Sequence, residues 1–351
     1  MDWQGKVIRV CGAALVFALL LRLSSNGFFQ PVMQVLTSRQ AASVIFFLET
    51  GRVLRQAEPQ PDAPATSATE PEATAPPQPT TVQTTPTQPV LPQDDAGAVA
   101  VFSPEDAALV QVNSYCGYGS DVPGWLSRPL SWELKQDAPT VLIVHSHGSE
   151  SYENTEGYTE AAAYRTLDEN YNVISIGDAL VQHLETRGIR ALHDRQLHDQ
   201  PSYSDSYGNS RSAIREYLQA HPSIRLVLDI HRDAVADEAG QQVKYTTQTP
   251  QGQVAQLMLV VGTDAGGLSH AKWPENMSLA VKLHAQLEKL CPGICRPISF
   301  RAQRFNQDLS TGAVLVEIGA AGNTRQEALA ATGYLAEAIL ALSAGSQSPG
   351  G

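Results

Sequence analysis

Three short stretches of this 351-residue chain concentrate side chains that bind metals and move protons. They are Val144-His145-Ser146-His147-Gly148-Ser149-Glu150, Leu228-Asp229-Ile230-His231-Arg232-Asp233, and Leu315-Val316-Glu317-Ile318-Gly319. In each, an apolar run gives way to polar groups. Zinc-assisted hydrolysis needs three N/O ligands and one open coordination position. It also needs a separate carboxylate that takes a proton from water and returns it to the leaving group. His147 and His231 are the leading nitrogen ligands. His145 is a further candidate, or an outer donor that orients the loop. Glu150, or an acid further along such as Asp168, supplies the carboxylate ligand, and Glu317 is the candidate general base. Singly, each residue has an ordinary structural explanation: a strand-end histidine is usually packed or capped, and a glutamate is usually solvated. Arg232 and Asp233 have one too, as a structural ion pair. The expectation rests on all three stretches converging. No spacing matches the HExxH helix signature, so pattern alone does not name the metal.

Convergence requires elements that bring the three stretches to one edge. Thr140–Val144, Ile189–Leu192, Arg225–Ile230, Gln256–Val261 and Ala313–Ile318 read as short buried strands. Val173–Arg187 has apolar residues at helical spacing and stops at Gly188, a favourable C-terminal position. Ser210–Leu218, Ser278–Leu290 and Arg325–Ser343 also read as helices. Alternating strands and helices predict an α/β domain with a mostly parallel sheet and helices on both faces. In such sheets ligands gather beyond the carboxyl ends of the strands, where the three stretches lie.

Charge is unevenly spread. The chain has 24 Lys+Arg against 36 Asp+Glu, a net charge of −12, which disfavours nucleic acid as a partner. Lys6 and Arg9 precede an apolar run from Val10 to Leu21, closed by Arg22. With the arginines snorkelling, residues 1–25 read as an uncleaved signal anchor that crosses the membrane once. The basic flank predicts that the body lies outside the cytoplasm. Residues 26–56 form a juxtamembrane segment containing the apolar stretch Ala41–Leu48. Residues 57–100 hold ten of the 22 prolines and no hydrophobic periodicity, as expected of a disordered tether. The catalytic domain is expected over 101–345.

Other patterns resolve to less. His231-Arg232-Asp233 has the kinase catalytic triplet, but no glycine-rich phosphate loop precedes it. His193-Asp194 and His198-Asp199 sit in a polar loop, as packing or rim residues. Cys291 and Cys295 are compatible with a small disulfide or with two thiols.

The blocks Val144 to Tyr152, Leu192-His193-Asp194 with His198-Asp199, Ser202-Tyr203 to Tyr207 with Ser210-Arg211, Asp229 to Asp233, Arg304-Phe305-Asn306-Gln307, and Leu315 to Gly319 ending at Asn323 resemble the stage II sporulation protein P family. That family is a branch near the zinc N-acetylmuramoyl-L-alanine amidases. The resemblance covers roughly Val141 to Thr332 and extends to the anchor and proline-rich spacer. It implies a zinc amidase-like fold and a Zn²⁺-dependent peptidoglycan hydrolase. The implied activity is N-acetylmuramoyl-L-alanine amidase and endopeptidase, acting on the septal wall during sporulation engulfment. The implied partner is a lytic transglycosylase, stage II sporulation protein D. The histidine after the first strand and His231 take the ligand positions, and Glu317 takes the catalytic one. Glu150, Asp168 and Glu169 compete for the carboxylate ligand. Arg232-Asp233 stands where ordinary zinc amidases have Ala-Asn, and Arg232 is expected to fork onto a stem-peptide carboxylate. The rival readings are a catalytically inactive wall-binding scaffold and a zinc carboxypeptidase or deacetylase on the same polymer.

Overall fold

A computed structural model of the protein describes residues 100–343 apart from Ser131 and 154–163, together with 346–347. The expected anchor, the juxtamembrane segment with its apolar stretch, and the tether as far as residue 99 lie outside the described residues. Among the described residues no helix is long and apolar enough to cross a membrane. At the domain's start, Ala100–Val101 pairs in parallel with Ser346–Gln347.

Seven strands make the central sheet: β1 (Val112–Ser114), β2 (Val141–Val144), β3 (Ala191–His193), β4 (Leu226–Asp233), β5 (Leu257–Gly262), β6 (Ile298–Arg301) and β7 (Ala313–Ala320). Their spatial order is β1-β6-β5-β7-β4-β2-β3. All neighbouring pairs are parallel except β5 against β7. The sheet is therefore two parallel blocks running in opposite directions. β2, β4 and β7 belong to one block, so their carboxyl ends open on the same edge. Pairing brings Val144 opposite Asp229, Leu315 opposite Asp229, and Glu317 opposite His231. The candidate residues are thus neighbours through backbone register.

Five helices cover the sheet: α1 (Val122–Ser127), α2 (Val173–Glu185), α3 (Ser206–Ala220), α4 (Trp273–Leu290) and α5 (Arg325–Ala341). Alternation along the strands divides the core in two. Leu142, Val144, Val227 and Ala313 pack under Ile214, Tyr217 and Leu218 of α3. Val141, Ile143, Leu228, Ile230, Val316 and Ile318 join the larger cluster with α2, α4 and α5. By the same alternation Asp229, His231 and Glu317 fall on the α3 face. The expected layering, with helices on both faces, is present.

The elements differ from expectation mainly at their ends. β4 runs on through His231, Arg232 and Asp233 past its expected end at Ile230, and β7 runs two residues past Ile318. Their side chains alternate between core and cleft, so a polar residue on the cleft face does not interrupt the ladder. The β7 register slips only between Glu317 and Ala320. Gly319 sits at that slip with φ +68°, and a Cβ there would lie 2.8 Å from Asn323 Oδ1. α4 starts at Trp273, with Pro274 in its first turn, five residues before the apolar periodicity becomes visible. β1, β6, α1 and a hairpin of Thr246–Thr249 with Gly252–Ala255 were not predicted.

Candidate active site

At the carboxyl edge of β2, β4 and β7 two imidazoles face each other. The rings of His147 and His231 are 5.2 Å apart between centres. Two imidazoles that share one tetrahedral zinc ion at Zn–N distances of ~2.0–2.1 Å bring their ring centres to ~5 Å. His147 Nδ1 is buried without a hydrogen-bond partner. His231 Nε2 lies 2.9 Å from Asp229 Oδ1 but is aligned too poorly to hydrogen-bond. Glu150 Oε2 lies 3.4 Å from His231 Nδ1. On β7, Glu317 has a buried, unpartnered Oε2. Such orphaned polar atoms are rare in folded proteins and mark functional positions or ligand positions.

Electrostatics follow from this crowding. Burial lowers His147 to about 3, so its ring is neutral with a lone pair available. Burial also works against charge on His231, but Asp229 and Glu150 outweigh it and hold the ring's pKa well above its ordinary value. Burial would raise Glu150; Arg232 and His231 overcome it and keep that carboxylate ionised. Glu317 has no such rescue: burial first, then Asp233, push it up to about 8. Two carboxylates in one cleft are thus driven apart, one held as an anion and one balanced near neutrality. That split separates ligand from acid–base roles in known hydrolases.

The carboxylate with Glu150 is held by a built scaffold. Glu150 Oε1 is 3.6 Å from both Arg165 Nη2 and Arg232 Nη1, and its Oε2 accepts from the Arg232 backbone N–H at 3.2 Å. Arg165 also pairs with buried Asp199 at 3.1 Å, and Asp199 accepts from the Ser149 backbone N–H and hydroxyl. Asp168 caps an exposed turn through Asn170, and Glu169 pairs with Arg195 at the surface. Of the three competing acids, only Glu150 touches the imidazole pair. Among the described residues no group of three or more His, Cys, Asp and Glu is placed to hold a metal ion as it stands. The donor types are those zinc takes: neutral His147 with its unpartnered nitrogen, His231 once it gives up the proton that Asp229 and Glu150 favour, and ionised Glu150, which is turned toward its arginines.

Two sequence expectations need correction. Arg232 is not placed to grip substrate. It is buried, and its guanidinium donates to Ser151 O at 2.8 Å and Tyr164 O at 2.7 Å while pairing with Glu150. Its donors are spent on holding the loop after β2. His145 turns away from the imidazole pair. Its Nδ1–H donates to Ile230 O at 2.9 Å, and its Nε2 meets His193 Nε2 at 2.8 Å. Both nitrogens are engaged on the α2 side of the sheet. Gly177 in α2 is shaped to this pair: a Cβ there would come within 2.5 Å of His193 Nε2 and 2.7 Å of His145 Nε2. His198 bonds Asp194 at 2.8 Å and is packing, as expected. Asp233 forms a buried pair with Arg296 at 2.7 Å. Cys291 and Cys295 are free thiols. Sequence reading missed Arg165 and Arg296, which stand outside the polar blocks and become meaningful only through their distant acids.

Buried neutral histidines give the domain an acid limit. Burial lowers His145 to about 3 and both His270 and His284 to about 4. These native values lie below the unfolded 6.5, so the unfolded chain binds more protons below that pH. Their contribution is complete above about pH 6.5 and is lost as pH falls toward 4 to 3. Glu317 and His231 have the opposite sign, since their raised values favour the native state as pH falls, but His147, also lowered to about 3, joins the three, so four groups stand against two. Thermal midpoints are expected to fall steadily from pH 7 to pH 4.5. A midpoint that holds or rises over that range contradicts this account.

A model of the family described as stage II sporulation protein P (SpoIIP) matches residues 36–340. The chain belongs to the stage II sporulation protein P family. The Stage II sporulation protein P of Bacillus subtilis (strain 168) is 30% identical over 204 residues, which are 54% of this chain and 48% of that protein. The chain thus spans about half the length of the curated relative it matches. Solved structures with a similar fold include N-acetylmuramoyl-L-alanine amidase AmiC2 of Nostoc punctiforme, 17% identical, covering 57% of this chain and 93% of that one, with a TM-score of 0.34. An N-acetylmuramoyl-L-alanine amidase from Clostridium difficile 630 is 14% identical, covering 59% and 97%, with a TM-score of 0.37. The family match spans His147, Glu150, His231 and Glu317 together.

Proposed function

We propose that this family member is a zinc-dependent peptidoglycan hydrolase that cuts the N-acetylmuramoyl-L-alanine amide, and stem-peptide cross-links, in the septal wall during sporulation. The observation that carries this reading is the cluster of side chains at the strand ends. It sets His147 against His231 with orphaned ring nitrogens, beside a desolvated, unpartnered Glu317. His147, His231 and Glu150 would hold the ion. When bound, zinc supplies Lewis-acid polarisation of the scissile carbonyl and of the attacking water.

The chain's own residues do the rest. Glu317 accepts the water's proton and delivers it to the departing amine, a role suited to a carboxyl balanced near neutral pH. Asp229 accepts from the Ser146 backbone N–H at 2.8 Å and from its hydroxyl at 2.6 Å, which fixes it beside His231. Arg232 and His231 keep Glu150 ionised, and Arg165 and Arg232 hold the loop after β2 in place. The basic-flanked apolar run at Val10–Leu21 and the proline-rich stretch of residues 57–100 support reading the chain as a single-pass membrane protein with its catalytic domain outside the cytoplasm, working beside stage II sporulation protein D. Mass spectrometry of fragments released from purified wall tests the activity. An amidase frees intact stem peptides from the glycan; release of single terminal residues or of acetate instead overturns this assignment.

A further inference from the structure

Beside the imidazole pair runs a row of aromatic rings that the hydrolytic chemistry does not use. Tyr203 meets His147 at 4.3 Å, Tyr207 meets His147 at 5.4 Å, and Phe305 meets Tyr207 at 5.9 Å, all between ring centres. The Arg165 guanidinium lies 4.4 Å over Tyr203, whose side is open to solvent. Phe305 and Asn306 reach this row in the left-handed region, at φ 49° and 57°. Asparagine tolerates that region, but for phenylalanine it is a strained conformation that persists only where surroundings over-determine it.

The surroundings do so. Asn306 is buried and its amide donates to Tyr207 O at 2.8 Å and Ser210 Oγ at 3.1 Å. Gln307 accepts from the Gly262 N–H and donates to Val260 O. Arg211 forks onto Asp308 at 2.8 and 2.6 Å. At Gly262 a Cβ would lie 2.2 Å from Gln303 O, so the loop packs directly on bare backbone. Every one of these contacts belongs to a neighbour of Phe305. None requires a bulky ring at position 305, which stays half-buried against Tyr207. Strain held at a residue its own packing does not need points to a use in binding.

We infer that the Tyr203–Tyr207–Phe305 row is the wall on which the sugar ring next to the scissile bond stacks. A pyranose offers a flat C–H face and a rim of hydroxyls; these rings, tilted to one another, offer apolar carbon with the Arg165 guanidinium stacked over Tyr203 at one end. The inference rests on the site being a wall-hydrolysing cleft and names the substrate feature that cleft recognises. Phe305 is then a specificity residue outside the acid–base chemistry.

The variant Phe305→Gly separates binding from folding, because glycine relieves the left-handed strain. The probe is a soluble disaccharide of the wall glycan without peptide, titrated calorimetrically into the full chain. Phe305→Gly is expected to keep or raise the thermal midpoint and to weaken disaccharide binding ~10-fold, ~1.4 kcal/mol. Phe305→Tyr should restore binding. A lowered midpoint with unchanged binding makes Phe305 a core residue and overturns the inference. So does a loss of affinity for free stem peptide but not for disaccharide. A chain that binds disaccharide through Phe305 yet releases nothing from wall refutes the hydrolase reading alone.

Discussion

Substituting Glu317→Gln is expected to lower wall hydrolysis by ~10²–10⁴-fold, the contribution of a positioned acid–base group, while the protein stays folded. The amide keeps the shape of the side chain but cannot accept water's proton. Folding should not suffer, because the carboxylate is desolvated and has an unpartnered Oε2. Burial and Asp233 raise it to about 8, so the native state bears a cost for ionising it. Removing the charge relieves that cost, and the thermal midpoint at pH 8 should hold or rise. Zinc content should match the parent, since His147, His231 and Glu150 are untouched. Rates of dye release from labelled wall, taken alongside metal analysis and melting curves, test all three parts. Parental rates from Glu317→Gln would remove the residue from the chemistry. A collapse of the melting temperature would instead make it structural.

How much of this site was legible depended on whether a residue's partner lay nearby in sequence. The apolar runs before His145, within Arg225–Ile230 and before Glu317 are buried on both faces. They read as strands because the hydrophobic signal is continuous. Their shared direction followed from the helices between them, which is why one edge could be expected to gather His147, His231 and Glu317. The reversed direction of β5, β6 and β1 was not legible. β5 reaches β7 as an antiparallel neighbour, and a buried strand has the same composition in either sense. The roles of Arg232 and His145 were misread for a related reason. Sequence shows the donor but not what consumes it, and the consumers are the carbonyls of Ser151, Tyr164 and Ile230. Backbone acceptors carry no residue-type signature.

The strained Phe305–Asn306 step was hidden in the same way. Asparagine permits a left-handed turn without announcing one, and its determinants, Tyr207, Ser210 and Gly262, are spread over the chain. Glu150 was one of three competing acids, with Asp168 and Glu169, in a stretch of twenty residues that holds six. Its contact with His231 and its pairing with Arg165 and Arg232 distinguish it from Asp168 and Glu169. A scaffold of long-range ion pairs selects the functional carboxylate, and it does so by folding rather than by spacing.

His147→Ala and His231→Ala should each abolish zinc retention through gel filtration and reduce hydrolysis at least ~10²-fold, whereas His145→Asn should retain zinc and lose stability. The contrast follows from where each ring spends its nitrogens. His147 Nδ1 is buried without a partner, and its Nε2 has only a 3.5 Å contact with Ser206 Oγ, so removing the ring discards an idle lone pair that the fold does not use. His231 stands across from it at the 5.2 Å spacing that suits one shared ion. Loss of either ring leaves too few donors for a stable site, because structural and catalytic zinc both need at least three protein ligands. His145 has its two nitrogens bound to Ile230 O and His193, in a space that Gly177 keeps clear. Removing it leaves His193 and the Ile230 carbonyl unsatisfied inside the α2 face, at ~1–3 kcal/mol per buried group. Elemental analysis and melting curves on the three variants decide between the assignments. If His145→Asn loses zinc while His147→Ala keeps one ion per chain, the nitrogen ligands have been placed on the wrong side of the sheet.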